Sequence, residues 1–313
     1  MGESLFKNPS ELVFNRNARV LIYGNPGIGK STLALSAPKP VLLDFDGGIH
    51  RVNGAHLCPT LQVQNYDQVL EALNEDLSGF ETIIIDTVGK MLDYMSEYII
   101  RKNPKAAKYD GSLSLQGYGT RKQMFVEFLT RVSMMNKNVV FVAHEREDKD
   151  GEQKFVRPEI GGSSAGDLIK ELDLVGYVKA IGKERTIFWN PQEGFYAKNS
   201  CNLPDAHKIP TIIDAAGNVT GKNEFLTQIF AMRSEYMTKQ EDSRHKYDGL
   251  IAEAVDIVNG VNDIDTANQA RDKIVALTHI WDSKLRCGYL LQNKCASLGL
   301  KYNKATEKYE PAN

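Results

Sequence analysis

Long apolar runs are missing from this sequence: none of its segments approaches the roughly 18 consecutive apolar residues that a membrane-spanning helix needs. The start, MGESLFKNPSELVF, also lacks the basic region and apolar stretch of a secretory leader. Phe6 stands where the myristoylation pattern asks for Ser or Thr. These absences predict a chain that stays in the cytoplasm and has no membrane partner. Cysteine is scarce. Cys58, Cys201, Cys287 and Cys295 are scattered, with no Cys-x-x-Cys pair, which argues against a disulfide framework or a zinc site and leaves reduced thiols. An excess of one charge is absent too. With 38 Lys and Arg against 40 Asp and Glu, the formal net charge is -2, so any nucleic-acid contact must come from local patches. No internal repeat or low-complexity tract is visible. Hydrophobic residues at 42% and charged residues at 25% are ordinary globular values. The length of 313 residues suggests one core of about 200 residues plus a smaller appendage.

What is present is alternation. From residue 18 to about 200, short Val- and Ile-rich runs alternate with helical patterns, the sequence form of a mostly parallel sheet covered by helices on both faces. Strands are predicted at residues 18–23, 40–44, 82–86 and 138–143. Helices are predicted near 30–37, 66–77, 88–101 and 117–135. A helix near 165–172 and three further strand-like runs, LVGYVKA, RTIFWN and GFYAKN, extend the sheet. Residues 203–221 read as a loop, so the expected organisation is a core over 1–210, a linker over 211–222 and a helical domain over 223–313. That domain should hold helices near 223–238, 244–259 and 265–298, then a short polar and aromatic tail.

Gly24-Asn25-Pro26-Gly27-Ile28-Gly29-Lys30-Ser31 satisfies G-x-x-x-x-G-K-[ST] directly after a predicted strand and before a helical run. Glycines let backbone N–H groups converge on phosphates, and the helix N-terminus adds the positive end of its dipole. Lys30 reaches the outer phosphates, Ser31 ligates Mg²⁺, and Thr32 completes the nucleotide-binding segment. Thr82-Ile83-Ile84-Ile85-Asp86 puts a carboxylate at the carboxyl edge of the sheet, where phosphates and metal sit, so Asp86 is the second expected Mg²⁺ residue. Thr87 fits a helix cap as well as a site residue. Asp44-Phe45-Asp46-Gly47-Gly48 offers two acids on alternate residues. One can face the terminal phosphate while the other braces the loop. Asp46 is the candidate that orients attacking water, the alternative being a turn-forming Asp before Gly-Gly. His144 ends the fourth strand, as a phosphate sensor or a solvated strand-end histidine.

Residues 18 to about 204 resemble the RecA/RadA core, most closely phage-encoded RecA-like ATPases of the Sak single-strand annealing type. The order carries the likeness: P-loop, Asp-x-Asp-Gly-Gly strand end, Walker B strand into Asp86-Thr87-Val88, a strand ending in polar His144, a long loop, then Lys198-Asn199. The resemblance implies a RecA-like P-loop NTPase core and an Mg²⁺-dependent ATPase. It gives Asp46 the place of the catalytic glutamate, His144 that of a glutamine switch, and residues 146–166, with Arg157, that of a second DNA-binding loop. Lys198 matches a lysine that acts on the neighbouring subunit's ATP, so it implies a homo-oligomer, ring or filament; a plain strand-edge lysine is the alternative. Asp for Glu at position 46 and Ser200 for a second basic residue are departures from the pattern.

Two basic segments remain. Between residues 101 and 122 lie Arg101, Lys102, Lys105, Lys108, Arg121 and Lys122 against one acid, Asp110, with Tyr109 and Tyr118 among them. Cations for phosphates and rings for bases suit single-stranded DNA, though a solvated loop has the same composition. Residues 284–313 hold six Lys or Arg against two Glu, after an acidic stretch at 240–283. They suit a nucleic acid, a protein partner or an oligomer interface. The expectation is an ATP-dependent recombination protein, phage-encoded, acting on single-stranded DNA alongside a single-strand DNA-binding protein. The alternatives are a nucleic-acid motor and an ATP-dependent switch on a protein partner.

Overall fold

The computed structural model describes residues 7, 11–12, 14–150, 153–182 and 184–312; the first six residues, read above as carrying no leader or lipid site, lie outside them. The chain forms two compact units, a larger one over Asn15–Tyr236 and a smaller one made of Met1–Phe14 and Met237–Asn313.

The larger unit is built on a ten-stranded sheet. In chain order its strands are β1 (Arg19–Gly24), β2 (Pro40–Asp44), β3 (Thr60–Gln62), β4 (Thr82–Asp86), β5 (Asn138–Asp150), β6 (Gln153–Pro158), β7 (Leu174–Ile181), β8 (Glu184–Phe188), β9 (Lys198–Asn199) and β10 (Ala206–Ile209). The order across the sheet is β10-β8-β7-β1-β5-β4-β2-β3. The run from β7 to β3 is parallel, and β8 and β10 add antiparallel at one edge. Helices α1 (Lys30–Ala34), α2 (Tyr66–Ala72), α3 (Val88–Lys102), α4 (Leu115–Met134) and α5 (Ser164–Glu171) connect them.

Strand side chains alternate between faces, and the core divides accordingly. Leu21, Tyr23, Ile83, Ile85, Val139 and Phe141 pack with α2, α3, α4 and α5. Val20, Ile22, Ile84, Val140 and Val142 pack with Leu33 and Ala34 of α1 and with Phe225, Leu226, Ile229 and Phe230, the start of α6 (Phe225–Asn259). Because every one of these central strands is covered twice, each reads as an unbroken apolar run.

The structure departs from the sequence reading in several places. The helices expected at 223–238 and 244–259 are one helix, α6, since Lys239, Gln240 and Glu241 are good helix formers that carry the pattern across Ser243. The single helix expected over 265–298 is two, α7 (Ile264–Ala276) and α8 (Ser283–Ser297), joined by a turn with neither Gly nor Pro. The tail is an antiparallel hairpin, β11 (Leu300–Asn303) and β12 (Lys308–Pro311), and the loop over 203–221 contains β10. The segment after His144, expected as a loop, is largely a second hairpin: β5 continues past the sheet and pairs antiparallel with β6 from Glu145↔Pro158 to Asp150↔Gln153. Of GFYAKN only Lys198–Asn199 is strand.

The smaller unit has its own core: Ala254, Val258 and Val261 pack with Ala267, Ala270 and Ile274 of α7, Cys287, Leu291 and Cys295 of α8, and Tyr309 of β12. All four cysteines are free thiols. No helix among the described residues is long and apolar enough to cross a membrane.

Candidate nucleotide-binding site

The P-loop joins β1 to α1, and its glycines are required by geometry. Gly27 and Gly29 have φ of 77° and 92°, the left-handed region that L side chains avoid. A Cβ on Gly24 would meet the Val178 carbonyl oxygen at 2.5 Å. Gly29 is the residue before the first turn of α1, so the N–H groups of that turn open toward the loop. Lys30 is 6% exposed, and its Nζ donates to the carbonyl oxygens of Gly24 at 2.9 Å and Asn25 at 2.8 Å. Burial lowers its pKa, and the nearby Asp86, Glu145 and Asp46 oppose that shift.

Sheet register sets the rest. Gly24 lies opposite His144 on β5, and Asp86 of β4 lies opposite Val142 on one side and Asp44 on the other. His144 and Asp46 are therefore each two residues beyond the level of Asp86. Their side chains meet across the end of β4, with His144 Nε2 3.3 Å from Asp46 Oδ2. The His144 Nδ1 is 3.5 Å from Lys30 Nζ. An ammonium can only donate, so this contact makes Nδ1 the acceptor and leaves Nε2–H to donate to Asp46. Thr87 does two jobs: its Oγ1 accepts from the Lys90 N–H as the cap of α3 and donates to Asp46 Oδ1 at 3.4 Å. Asp44 is the bracing acid of its pair, its carboxylate accepting from the N–H groups of Gly48 at 3.1 Å and Ile49 at 3.2 Å.

Ser31 Oγ donates to Asp86 Oδ2 at 2.5 Å. Burial pushes the Asp86 carboxyl up to about 6; the Ser31 hydrogen bond opposes this, and the charges of Asp46 and Asp44 add to it. A hydroxyl and a buried carboxylate with insufficient positive charge nearby fit a divalent cation. No group of three or more His, Cys, Asp or Glu able to hold a metal occurs among the described residues. A cation here would take its remaining ligands from phosphate and water, the habit of Mg²⁺.

Beside Asp46, Thr87 and His144 a cleft of about 490 Å³ is lined further by Lys90, Arg121, Arg146 and Glu159. Three residues near the P-loop escaped the sequence reading. Arg185 of β8 donates from Nη1 to the Ile28 carbonyl oxygen at 3.3 Å, and Asn223 donates from Nδ2 to that of Thr32 at 2.9 Å. Glu145 has a buried Oε2 with no hydrogen-bond partner. Only the register of β8 against β7 and the docking of α6 bring the first two there, and neither leaves a local signal.

Lys30, Ser31, Asp46, Asp86 and His144 thus come together. Lys198 does not join them: it pairs with Val175, which lies opposite Leu21, three residues or about 10 Å short of the Gly24 level. Its Nζ donates to the Ile169 carbonyl oxygen at 3.0 Å. Arg101 and Lys102, at the end of α3, both pair with Asp67 and lie over the Tyr98 ring. Lys105 and Lys108 are exposed, and Tyr109 beside them is fully so. Arg157 sits on β6 with its guanidinium 4.9 Å from the Phe155 ring and 3.4 Å from Asp148.

Residues 16–201 match the family model AAA_24, described as an AAA domain. A curated relative, the SPbeta prophage-derived uncharacterized protein YorG of Bacillus subtilis (strain 168), is 25% identical over 170 residues. The match covers 52% of this chain and 51% of that protein, so the chain spans about half the length of the relative. Among solved structures, the KaiC-like protein PH0186 of Pyrococcus horikoshii OT3 aligns with a TM-score of 0.33 at 10% identity, over 55% of this chain and 77% of its own. The flagellar accessory protein FlaH of Methanocaldococcus jannaschii aligns at 0.31 and 9%, over 55% and 76%.

Proposed function

This chain belongs to the AAA_24 family of AAA domains and carries a P-loop ATPase domain, and on that premise we propose that it is an Mg²⁺-dependent ATPase that binds single-stranded DNA and promotes annealing or strand pairing in a phage setting. The observation that carries this reading is the continuity of β5. The same strand presents His144 to Lys30 and Asp46 and then runs on, unbroken, into the hairpin that bears Arg146, Lys154 and Arg157. A change at the terminal phosphate therefore has a rigid path to a charged outer element. The hairpin cations pair with Glu147 and Asp148, but such exposed pairs are weak enough to exchange for DNA phosphates. Lys105, Lys108 and the exposed Tyr109 supply cations and a stacking ring on a second segment. The prophage origin of the curated relative supports the phage setting.

The test is ATP hydrolysis with and without single-stranded DNA over a range of salt. Wild type should be stimulated by the strand, less so as salt rises, and Lys30→Ala should hydrolyse nothing in either case. Hydrolysis indifferent to DNA, with no salt-sensitive binding, would turn the reading into an ATP-dependent switch acting on a protein.

A further inference from the structure

The smaller unit carries a surface that the ATPase reading does not use. Three helical segments share one core, and a β-hairpin follows the last of them directly. The turn between α7 and α8 is fastened by side chains. His279 Nε2 donates to the Ile274 carbonyl oxygen at 2.7 Å, its Nδ1 takes the Ser283 hydroxyl at 3.0 Å, and Ser283 Oγ also accepts from the Ile280 N–H. Helix α8 buries one stripe, Ser283, Cys287, Leu291 and Cys295, at every fourth residue. The opposite face is therefore outside: Leu285 at 59% and Tyr289 at 56% exposure, with Lys284, Gln292 and Asn293 around them.

Charge distinguishes α8 and the hairpin from the rest of the unit. Residues 240–283 hold nine acids against four Lys or Arg, whereas α8 and the hairpin hold Lys284, Arg286, Lys294, Lys301, Lys304 and Lys308 against Glu307 and Glu310. Both acids are occupied internally. Glu307 accepts from Arg271 at 2.8 Å, and Glu310 accepts from Asn303 at 2.9 Å and Thr306 at 2.7 Å. None of the six cations forms an ion pair among the described residues. The hairpin is held on α7 by Asn268, which donates to the Tyr309 carbonyl oxygen at 3.2 Å and accepts from the Tyr309 N–H at 2.8 Å.

We infer that residues 237–312 form a module that binds double-stranded DNA, with α8 in the major groove and the β11–β12 lysines on the phosphate backbone. A 15-residue helix is about 22 Å long and 10–12 Å wide, which the B-form major groove admits. Gln292 and Asn293 can each bond an adenine edge, and Leu285 and Tyr289 can touch thymine methyl groups. A convex helix face offers no groove to track a single strand, and the deep, narrow major groove of an RNA duplex excludes a helix. The acidic remainder of the unit repels the backbone and so fixes which side faces the duplex. This inference is independent of the ATPase reading.

The experiment measures binding of the full chain, over a range of salt, to a B-form DNA duplex, a single strand and an RNA duplex of matching sequence. Two multiple variants are compared with wild type, each checked by thermal melting: Lys301→Ala with Lys304→Ala and Lys308→Ala, and Gln292→Ala with Asn293→Ala. The lysine variant should lower the slope of log affinity against log salt for the DNA duplex by about 3, one counterion for each lost phosphate contact. The amide variant should leave the slope unchanged and weaken binding to A·T-rich duplexes about tenfold or more. Basal ATP hydrolysis should be unchanged in both. Folded variants that bind duplex as wild type does would overturn the proposal. Equal losses on single strand or RNA duplex would do the same, as would a face that proves to bind protein instead.

Discussion

Burial raises the Asp86 carboxyl to about 6 from its ordinary 3.8, and that shift has a sign that can be tested. Folded and unfolded chains are both protonated there below pH 3.8, so the group costs nothing. As pH rises from 3.8 to about 6 the unfolded chain gives up its proton first, and the free protein loses on the order of 3 kcal/mol of stability across that window. A cation beside Asp86 should recover that loss only where the carboxylate is charged. The rise in melting temperature on adding Mg²⁺ and ATP should therefore be larger at pH 7.5 than at pH 5.5, and Asp86→Asn should abolish the difference. Asp46 makes a separate prediction. Its carboxylate is held by His144 and Thr87 with room to meet a water, so Asp46→Asn should keep ATP binding and lower turnover by about 10². Turnover near wild type would move the water-orienting role elsewhere, Glu145 being the next acid to test. The Ser31, Lys30 and Asp86 positions were legible in sequence because a phosphate site imposes local spacing. Arg185 and Asn223 were not, because they reach the P-loop through strand register and helix docking.

Elements are tied together by an ion pair, buried on the arginine side and about a fifth exposed on the aspartate side, that sequence periodicity does not reveal. Arg233, at 4% exposure near the start of α6, lies 3.2 Å from Asp173, which itself accepts from the Arg19 N–H at 2.9 Å at the start of β1. It also donates to the Arg16 carbonyl oxygen at 2.6 Å. Arg233→Ala strands the Asp173 carboxylate and the Arg16 carbonyl; removal of one partner from a fully buried pair costs about 3–5 kcal/mol, and the partial exposure of Asp173 places this pair at the lower end of that range. Thermal melting should show a loss on the order of 10 °C, while the ATP affinity of the protein that remains folded stays near wild type. A change under 1 °C would mean that water replaces the guanidinium without cost. The helix break at residues 277–282 has a similar origin. A run of Leu, Thr, His, Ile, Trp and Asp carries no breaker, and His279 with Ser283 makes the turn through side-chain bonds available only once α7 and α8 pack.

At the scale of the assembly, the homo-oligomer implied by the RecA/RadA resemblance depends on Lys198. Its backbone lies about 10 Å short of the level of its own P-loop and its amine is held by the Ile169 carbonyl oxygen, so a role in hydrolysis is to be sought at a neighbour's phosphates. Lys198→Ala should then bind ATP normally and turn it over slowly, and Asp46→Asn should do likewise. Mixed, the two should recover part of the activity, because some interfaces unite an intact Asp46 with an intact Lys198. A mixture no faster than either variant alone, or a monomer at every concentration with ATP and DNA present, would assign Lys198 to the Ile169 contact that it makes within its own chain.

Sequence alone determined the doubly covered parallel strands, the P-loop and the carboxylate at the end of β4, because each is dictated by short-range periodicity or by a ligand's demand for fixed spacing. It determined equally that two acids, Asp44 and Asp46, stand at and just beyond the end of β2. Tertiary structure decided which of them, Asp46, meets His144, since that depends on the levels to which β2 and β5 extend beside β4. Long-range packing also turned a predicted loop into the β5–β6 hairpin, one expected helix into α7 and α8, and a polar tail into β11–β12. Those outcomes rest on contacts between residues far apart in the chain, whose free energy no local pattern of side chains encodes.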